Sequence, residues 1–370
     1  MIYQLLKLRA WSFIKICEVI STFKSSKDSP RNREMLKQMQ DMPLDMKISM
    51  TKSRIREWIN TFGEDGVYIS FSGGKDSTVL LHLVREDYPD VEAVFINTGL
   101  EYPEIQKFAQ SFDNVTVIRP KMRFDEVIKT YGYPLISKDV AGCIHRAKTG
   151  DRLSIAKMNG EAKQKENGEP SMFNHLKYKP LMDVDFEITD ECCRMMKKMP
   201  VKSYAHKAKK NSMTAQMADE SLLRAQQWYL YGCNGFDMKT PRSNPMSFWT
   251  EQDVLTYIHT YNIPICSVYG SIVETQGKMS DQLTFEGHGK LKCTGCQRTG
   301  CIFCGFGAHC KDDRRFIMLK QTHPKQYEYC MGGGAYDTDG KWKPNKQGLG
   351  MAHVFDVCNS IYGKDFIRYE

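Results

Sequence analysis

The stretch Ser72-Gly73-Gly74-Lys75-Asp76-Ser77 joins a run of β formers, VYISF at 67–71, to an apolar run with helical spacing, STVLLHLVRE at 77–86. Two glycines after a buried strand let the backbone turn sharply and bring its N–H groups close to an anion. The helix that follows adds the positive end of its dipole. Lys75 offers a point charge, and Ser72 and Ser77 offer hydroxyl donors. The commonest phosphate loop, G-x-x-x-x-G-K followed by Ser or Thr, needs a glycine where Ile69 stands and a hydroxyl where Asp76 stands. This is an anion loop of a different kind.

Cysteine is the second chemistry-bearing residue type, with thirteen in the chain. In a reducing compartment clustered thiols read as metal sites rather than disulfides. Cys293, Cys296, Cys301 and Cys304 have the spacing C-x2-C-x4-C-x2-C of a local zinc knot. Alternatively, the adjacent pair Cys192-Cys193 joins Cys301 and Cys304. A four-residue spacer is tight for a zinc tetrahedron, whereas a cubane spans several ångström and tolerates adjacent cysteines. Cys17, Cys143, Cys233, Cys266 and Cys358 stand alone in mostly apolar contexts and read as small buried hydrophobes.

The elements that must carry these groups alternate from residue 66. VYISF (67–71), VEAVFINTG (91–99) and VTVIRP (115–120) read as strands; 77–86, 103–112 and 121–132 read as helices. Such alternation means βαβ units and a parallel sheet with right-handed crossovers. Residues 146–180 are polar without periodicity and are expected to form a loop or insertion. Helices are expected around DECCRMMKKMP (190–200), at 217–232, and at 250–261 with Thr250 as N-cap. Three segments result: an N-terminal helical extension over 1–45, an anion-loop α/β domain over 46–265, and a Cys-rich region with a tail over 266–370.

Composition sets the class. The 370 residues are 41% apolar and 26% charged, as in a globular protein large enough to bury a sizeable core. A net charge of +8 suits an anionic ligand but is too diffuse to argue for nucleic acid by itself. The apolar N-terminal run is interrupted by Lys7, Arg9 and Lys15, which argues against a membrane helix. No A-x-A-like cleavage site follows it. A cytoplasmic chain without a membrane partner is the expectation.

Motif by motif, the chain resembles a known family. SGGKDS resembles the PP-loop of the adenine nucleotide α-hydrolase-like superfamily, and FINTGLEYPE (95–104) resembles the second-strand motif of its PAPS/APS (phosphoadenylyl-sulfate/adenylyl-sulfate) reductase branch. MTAQMADESLLR (213–224) is similar to the stretch ending in that branch's substrate-binding arginine, and SNPMSFWTEQDVLTYIHTYNIP (243–264) to a further segment. Together these cover roughly residues 45 to 330. The resemblance implies an α/β fold, a Rossmann-like parallel sheet flanked by helices with a Cys-rich C-terminal region. It also implies an adenine nucleotide ligand: PAPS, APS, or ATP with Mg2+.

The nucleotide site it implies comprises Ser70, Ser72, Gly73, Gly74, Lys75, Asp76, Ser77, Asn97, Thr98, Gly99, Lys138, Arg224 and Arg242, with Lys75, Asp76 and Arg224 as the catalytic set. A carboxylate does not hold an anion, so Asp76 would fix the loop or coordinate Mg2+. CC…CxxC at Cys192, Cys193, Cys301 and Cys304 resembles the signature that holds a 4Fe–4S cluster in the APS-reductase branch. The extra pair Cys293/Cys296 departs from that pattern and keeps zinc open as the alternative.

One departure bears on the reaction. The reductases carry a redox-active cysteine near the C-terminus in E-C-G-L/I-H, and the tail from 331 to 370 contains nothing of the kind. Cys310, Cys330 and Cys358 are the thiols left in that part of the chain. Two readings stand: a sulfonucleotide reductase served by a thioredoxin-like electron donor, or an ATP pyrophosphatase that adenylates tRNA or DNA for sulfur transfer. In the second, the basic stretch at 146–180 would face the nucleic acid.

Overall fold

A computed structural model describes residues 31–164, 168–275 and 290–370. The N-terminal apolar run lies outside the described residues. Helices α1 (Arg33–Gln40) and α2 (Leu44–Phe62) lead into the body, and α2 buries Met50, Ile55, Trp58 and Ile59. The expected boundary between residues 45 and 46 falls within α2.

The alternation then runs β1 (Val67–Phe71), α3 (Lys75–Arg85), β2 (Ala93–Ile96), α4 (Pro103–Gln110), β3 (Val115–Ile118) and α5 (Phe124–Tyr131). Strand β2 ends three residues and β3 two residues before the end of its expected run. Strand β1 is the exception and keeps all five residues.

After a short β4 (Leu135–Ile136) come α6 (Lys138–Lys148) and α7 (Arg152–Asn159). These helices correct the expectation of a loop across 146–180. Asp151 caps α7 by accepting from the Ser154 N–H, Gly160 closes it at φ +78, and Ser154 and Met158 are buried. Two buried positions in eight residues are too few to give a visible period.

The adjacent cysteines lie on α8 (Glu191–Cys193), continued by a π-helical turn over Arg194–Lys198 and by α9 (Met199–Ala208). Then follow β5 (Asn211–Met213), α10 (Leu222–Tyr231), β6 (Asn234–Gly235), β7 (Arg242–Ser243) and α11 (Glu251–Tyr261). Thr250 caps α11 in a reciprocal box with Asp253.

The main sheet has the order β3-β2-β1-β5-β7-β6, and every neighbouring pair is parallel except β6–β7. β1 is central: Ile69 pairs with Ala93 on one side and Met213 on the other. Its residues Val67, Tyr68, Ile69 and Phe71 are all buried, as a parallel strand covered on both faces requires. The expected α/β architecture is what the chain forms.

The Cys-rich region is not a separate lobe. β8 (Ile272–Thr275) and β9 (Lys290–Cys293) pair antiparallel, and β10 (Gly305–Phe306) pairs parallel with β4. Helices α12 (Arg315–Thr322), α13 (Pro324–Met331) and α14 (Met351–Tyr362) complete the chain. One apolar cluster runs from Leu36 to Tyr369 through both regions. No helix among the described residues is long and apolar enough to cross a membrane.

Candidate functional site

The chain leaves β1 at Phe71 and turns through Ser72, Gly73 and Gly74 into α3. Gly73 has φ +70, and a Cβ there would sit 3.0 Å from Ile105 Cγ2. Only glycine suits the position. The two serines fix the turn: the Ser72 N–H donates to Ser77 Oγ at 3.2 Å, and Ser77 Oγ donates to the Gly74 carbonyl at 2.9 Å. Ser70 lies just upstream in β1, opposite Val94.

Lys75 is buried, with 3% of its surface exposed. Its Nζ lies 3.1 Å from the Gln297 carbonyl, 3.1 Å from Glu251 Oε1 and 3.7 Å from Asp76 Oδ1. Its backbone N–H donates to the Tyr269 hydroxyl at 3.2 Å, and that oxygen is 2.6 Å from Thr299 Oγ1. Residues 297–299 therefore close over the loop. Neither Tyr269 nor this closing segment is visible in the SGGKDS motif; nothing local marks them.

More charge gathers around Asp76. Its Oδ1 is buried without a hydrogen-bond partner. Burial pushes the carboxyl above its usual range; Lys75 opposes that, Glu251 adds to it, and Arg298 and Arg224 oppose it. Arg224, in the first turn of α10, is ion-paired with Glu220. Burial lowers its pKa, as do the like charges of Arg298 and Arg242. Arg242 on β7 is lowered by burial too, and its Nε is buried with no partner. Lys75, Asp76, Arg224 and Arg242, far apart in sequence, thus form one group, joined by Glu251 and Arg298. Orphaned guanidinium and carboxylate atoms at an anion loop are what a bound, multiply charged ligand would satisfy.

Beside it, a cavity of about 500 Å³ opens at the carboxyl ends of β2 and β3. Parallel sheets collect ligands at this edge. Asn97, Thr98 and Gly99 line it, with Arg119, Phe303 and Tyr329. Glu101 holds the turn, accepting from Thr98 Oγ1 at 2.6 Å and from the Thr98 N–H at 3.0 Å. The Gly99 N–H donates to Asn97 Oδ1 at 3.1 Å.

The thiols divide into two groups. Cys192 and Cys193 share a hydrogen bond that lowers the Cys193 thiol, with Lys138 and Lys197 helping against burial. The same bond raises Cys192, together with burial and the neighbouring Cys193, Cys304 and Cys301. Burial raises Cys301 to about 11, opposed by Lys197. Cys301 and Cys304 thus lie near enough to Cys192 and Cys193 to bear on them. Lys138 stands at this group, against Cys193.

The other pair faces elsewhere: Cys293 interacts with Lys75, and Cys296 with the Tyr102 phenol. Among the described residues no three His, Cys, Asp or Glu side chains, in either grouping of the cysteines, are gathered closely enough to hold a single ion. Of the tail thiols, Cys330 and Cys358 are fully buried in the core and Cys310 is exposed.

Comparison with known proteins gives a family. The family described as "Phosphoadenosine phosphosulfate reductase domain" matches residues 66–137 and 144–305. An uncharacterised protein of Methanocaldococcus jannaschii is 40% identical over 79 residues, which are 20% of this chain and 18% of that one. An adenosine 5'-phosphosulfate reductase of Bacillus cereus is 30% identical over 87 residues, 22% of this chain and 37% of that one. The chain thus spans well under half the length of these curated relatives. A crystal structure of phosphoadenylyl-sulfate reductase from Candida auris, as a phosphate complex, aligns at 14% identity and a TM-score of 0.36, covering 65% of this chain and 91% of that one.

Proposed function

Because the chain belongs to the phosphoadenosine phosphosulfate reductase domain family, we propose that it binds an adenylyl sulfonucleotide at the SGGKDS loop and reduces it to sulfite with a thiol electron donor. The observation that carries this is the group at the loop: Lys75 and Arg224 bear on Asp76, Arg242 bears on Arg224, and two of its polar atoms are orphaned. The phosphosulfate would lie on the Gly73–Ser77 backbone, with Lys75, Arg224 and Arg242 neutralising it. Its adenosine would enter the cavity at Asn97, Thr98 and Gly99. Asp76 and Glu251 would hold Lys75 in place until the ligand arrives.

Cys192, Cys193, Cys301 and Cys304 would hold a 4Fe–4S cluster, with Lys138 and Lys197 balancing the thiolate charge. Such a cluster supplies an electron-transfer centre whose potential follows its charge and hydrogen bonds.

The second reading, an ATP pyrophosphatase acting on tRNA or DNA, draws on the orphaned Asp76 Oδ1, which suits a Mg2+ ion carried by ATP. Turnover separates the two. Labelled PAPS, APS and ATP are supplied in turn with reduced thioredoxin. Sulfite from a sulfonucleotide supports the reductase; AMP and pyrophosphate from ATP, formed only with tRNA or DNA, overturn it.

A further inference from the structure

Two cysteines outside the CC…CxxC set, Cys293 and Cys296, lie on the segment that reaches the anion loop, and Cys293 bears on Lys75. Cys293 ends β9 and is 2% exposed. Its carbonyl accepts from Gln297 Nε2 at 2.6 Å, and the Gln297 carbonyl accepts from Lys75 Nζ at 3.1 Å. The backbone between the two cysteines is pinned: the Gly295 N–H donates to Tyr269 O at 2.9 Å and the Cys296 N–H to Val268 O at 2.8 Å. A Cβ at Gly295 would fall 2.4 Å from Val268 O, so the turn admits only glycine there. Tyr269, part of this support, also receives the Lys75 N–H.

Cys296 has acid–base neighbours. The Tyr102 phenol hydrogen-bonds its thiol, and Glu104 bears on it. The Tyr102 ring lies 5.0 Å from His323, whose Nε2 is 3.2 Å from both Glu104 carboxylate oxygens. Burial pushes both thiols up, and Lys75 works against that at Cys293.

We propose that Cys293 and Cys296 are the dithiol that supplies the two electrons for sulfonucleotide reduction, an inference that rests on the reductase reading above. The Cys293 thiolate attacks the sulfate sulfur; an S–S bond forms, the bond from sulfur to the bridging oxygen breaks, and the nucleotide leaves with that electron pair. The Cys293 proton passes toward Glu251, which bears on the thiol. Cys296, losing its proton toward Glu104, then attacks Cys293 Sγ. The Cys293–Cys296 disulfide forms, the bond to the sulfonate breaks, and sulfite departs with its electrons. Sulfur is reduced by two electrons and the dithiol oxidised by two. Exchange with an external dithiol restores the pair.

The test uses reduced full-length protein, desalted without oxygen and mixed with PAPS or APS in the absence of added thiol. Up to one sulfite per chain is expected, with a Cys293–Cys296 disulfide mapped by mass spectrometry. Cys296→Ser should stop at a sulfonate on Cys293 after releasing nucleotide. Cys293→Ser and Cys293→Ala should release no sulfite while remaining folded and still binding nucleotide. Cys310→Ser should behave as wild type. If sulfite appears with reduced thioredoxin but Cys293→Ser and Cys296→Ser turn over at the wild-type rate, the dithiol is overturned and the reductase reading survives. If wild type yields no sulfite even with reduced thioredoxin, both fall.

Discussion

Lys75 gives its ammonium to the backbone carbonyl of Gln297, 3.1 Å away and 222 residues later in the chain. The charged group of the anion loop is thereby held by the segment that connects Cys293 and Cys296 to Cys301.

Gly73 tests the loop itself. Gly73→Ala places a Cβ 3.0 Å from Ile105 Cγ2 and 3.2 Å from Ile105 O at φ +70. The strain is on the order of 1–3 kcal/mol. A lower melting temperature and loss of nucleotide binding in calorimetry are expected; an unchanged melt would show that the turn is not held as described.

Ser77 holds the loop shut by receiving the Ser72 N–H and donating to Gly74 O. Ser77→Ala leaves a buried donor unmatched and should weaken nucleotide binding by roughly 1–3 kcal/mol. Calorimetry reads the difference, and equal affinity would remove Ser77 from the site.

Asp76 gives a pH signature. Burial raises its folded pKa above the unfolded value. Its contribution to stability is therefore fully present below the unfolded pKa and is lost as pH rises through the folded one. At neutral pH the ionised carboxylate is a cost, so ligand-free Asp76→Asn should melt higher than wild type. The gap should close as pH falls through the carboxylate range. A gap that is constant with pH contradicts the assignment.

The cysteine grouping is read by metal analysis. Protein purified without oxygen should carry iron and acid-labile sulfide. Cys192→Ser, Cys193→Ser, Cys301→Ser and Cys304→Ser should each lose them, and Cys293→Ser and Cys296→Ser should not. Equimolar zinc without sulfide, lost on changing Cys293 or Cys296, is the contrary result.

The strand–helix alternation was legible because β1 and β2 are buried runs of β formers and the intervening helices carry their apolar residues at helical spacing. The anion loop was legible because its turn demands glycine. The rest depended on distance. Glu251, Gln297, Arg298 and Tyr269 reach Lys75 and Asp76 only through tertiary packing, and no local pattern marks a carbonyl such as that of Gln297 as a lysine partner. The resemblance places Lys138 in the nucleotide site. In the fold, α6 starts beside α8, and its ammonium meets Cys193 instead. Among the cysteines, spacing alone left two groupings open, because which thiols meet depends on tertiary pairings such as that of β10 with β4.

The central claim is that this loop and its arginines take a sulfonucleotide. Affinities for PAPS, APS and ATP with Mg2+, measured side by side by calorimetry on wild type and on Arg242→Ala, test it most directly. The expected result is that PAPS or APS binds at least about tenfold tighter than ATP, a difference of about 1.4 kcal/mol, and that Arg242→Ala removes most of the preference. ATP binding more tightly than either sulfonucleotide, with Arg242→Ala indifferent to all three, would contradict the account.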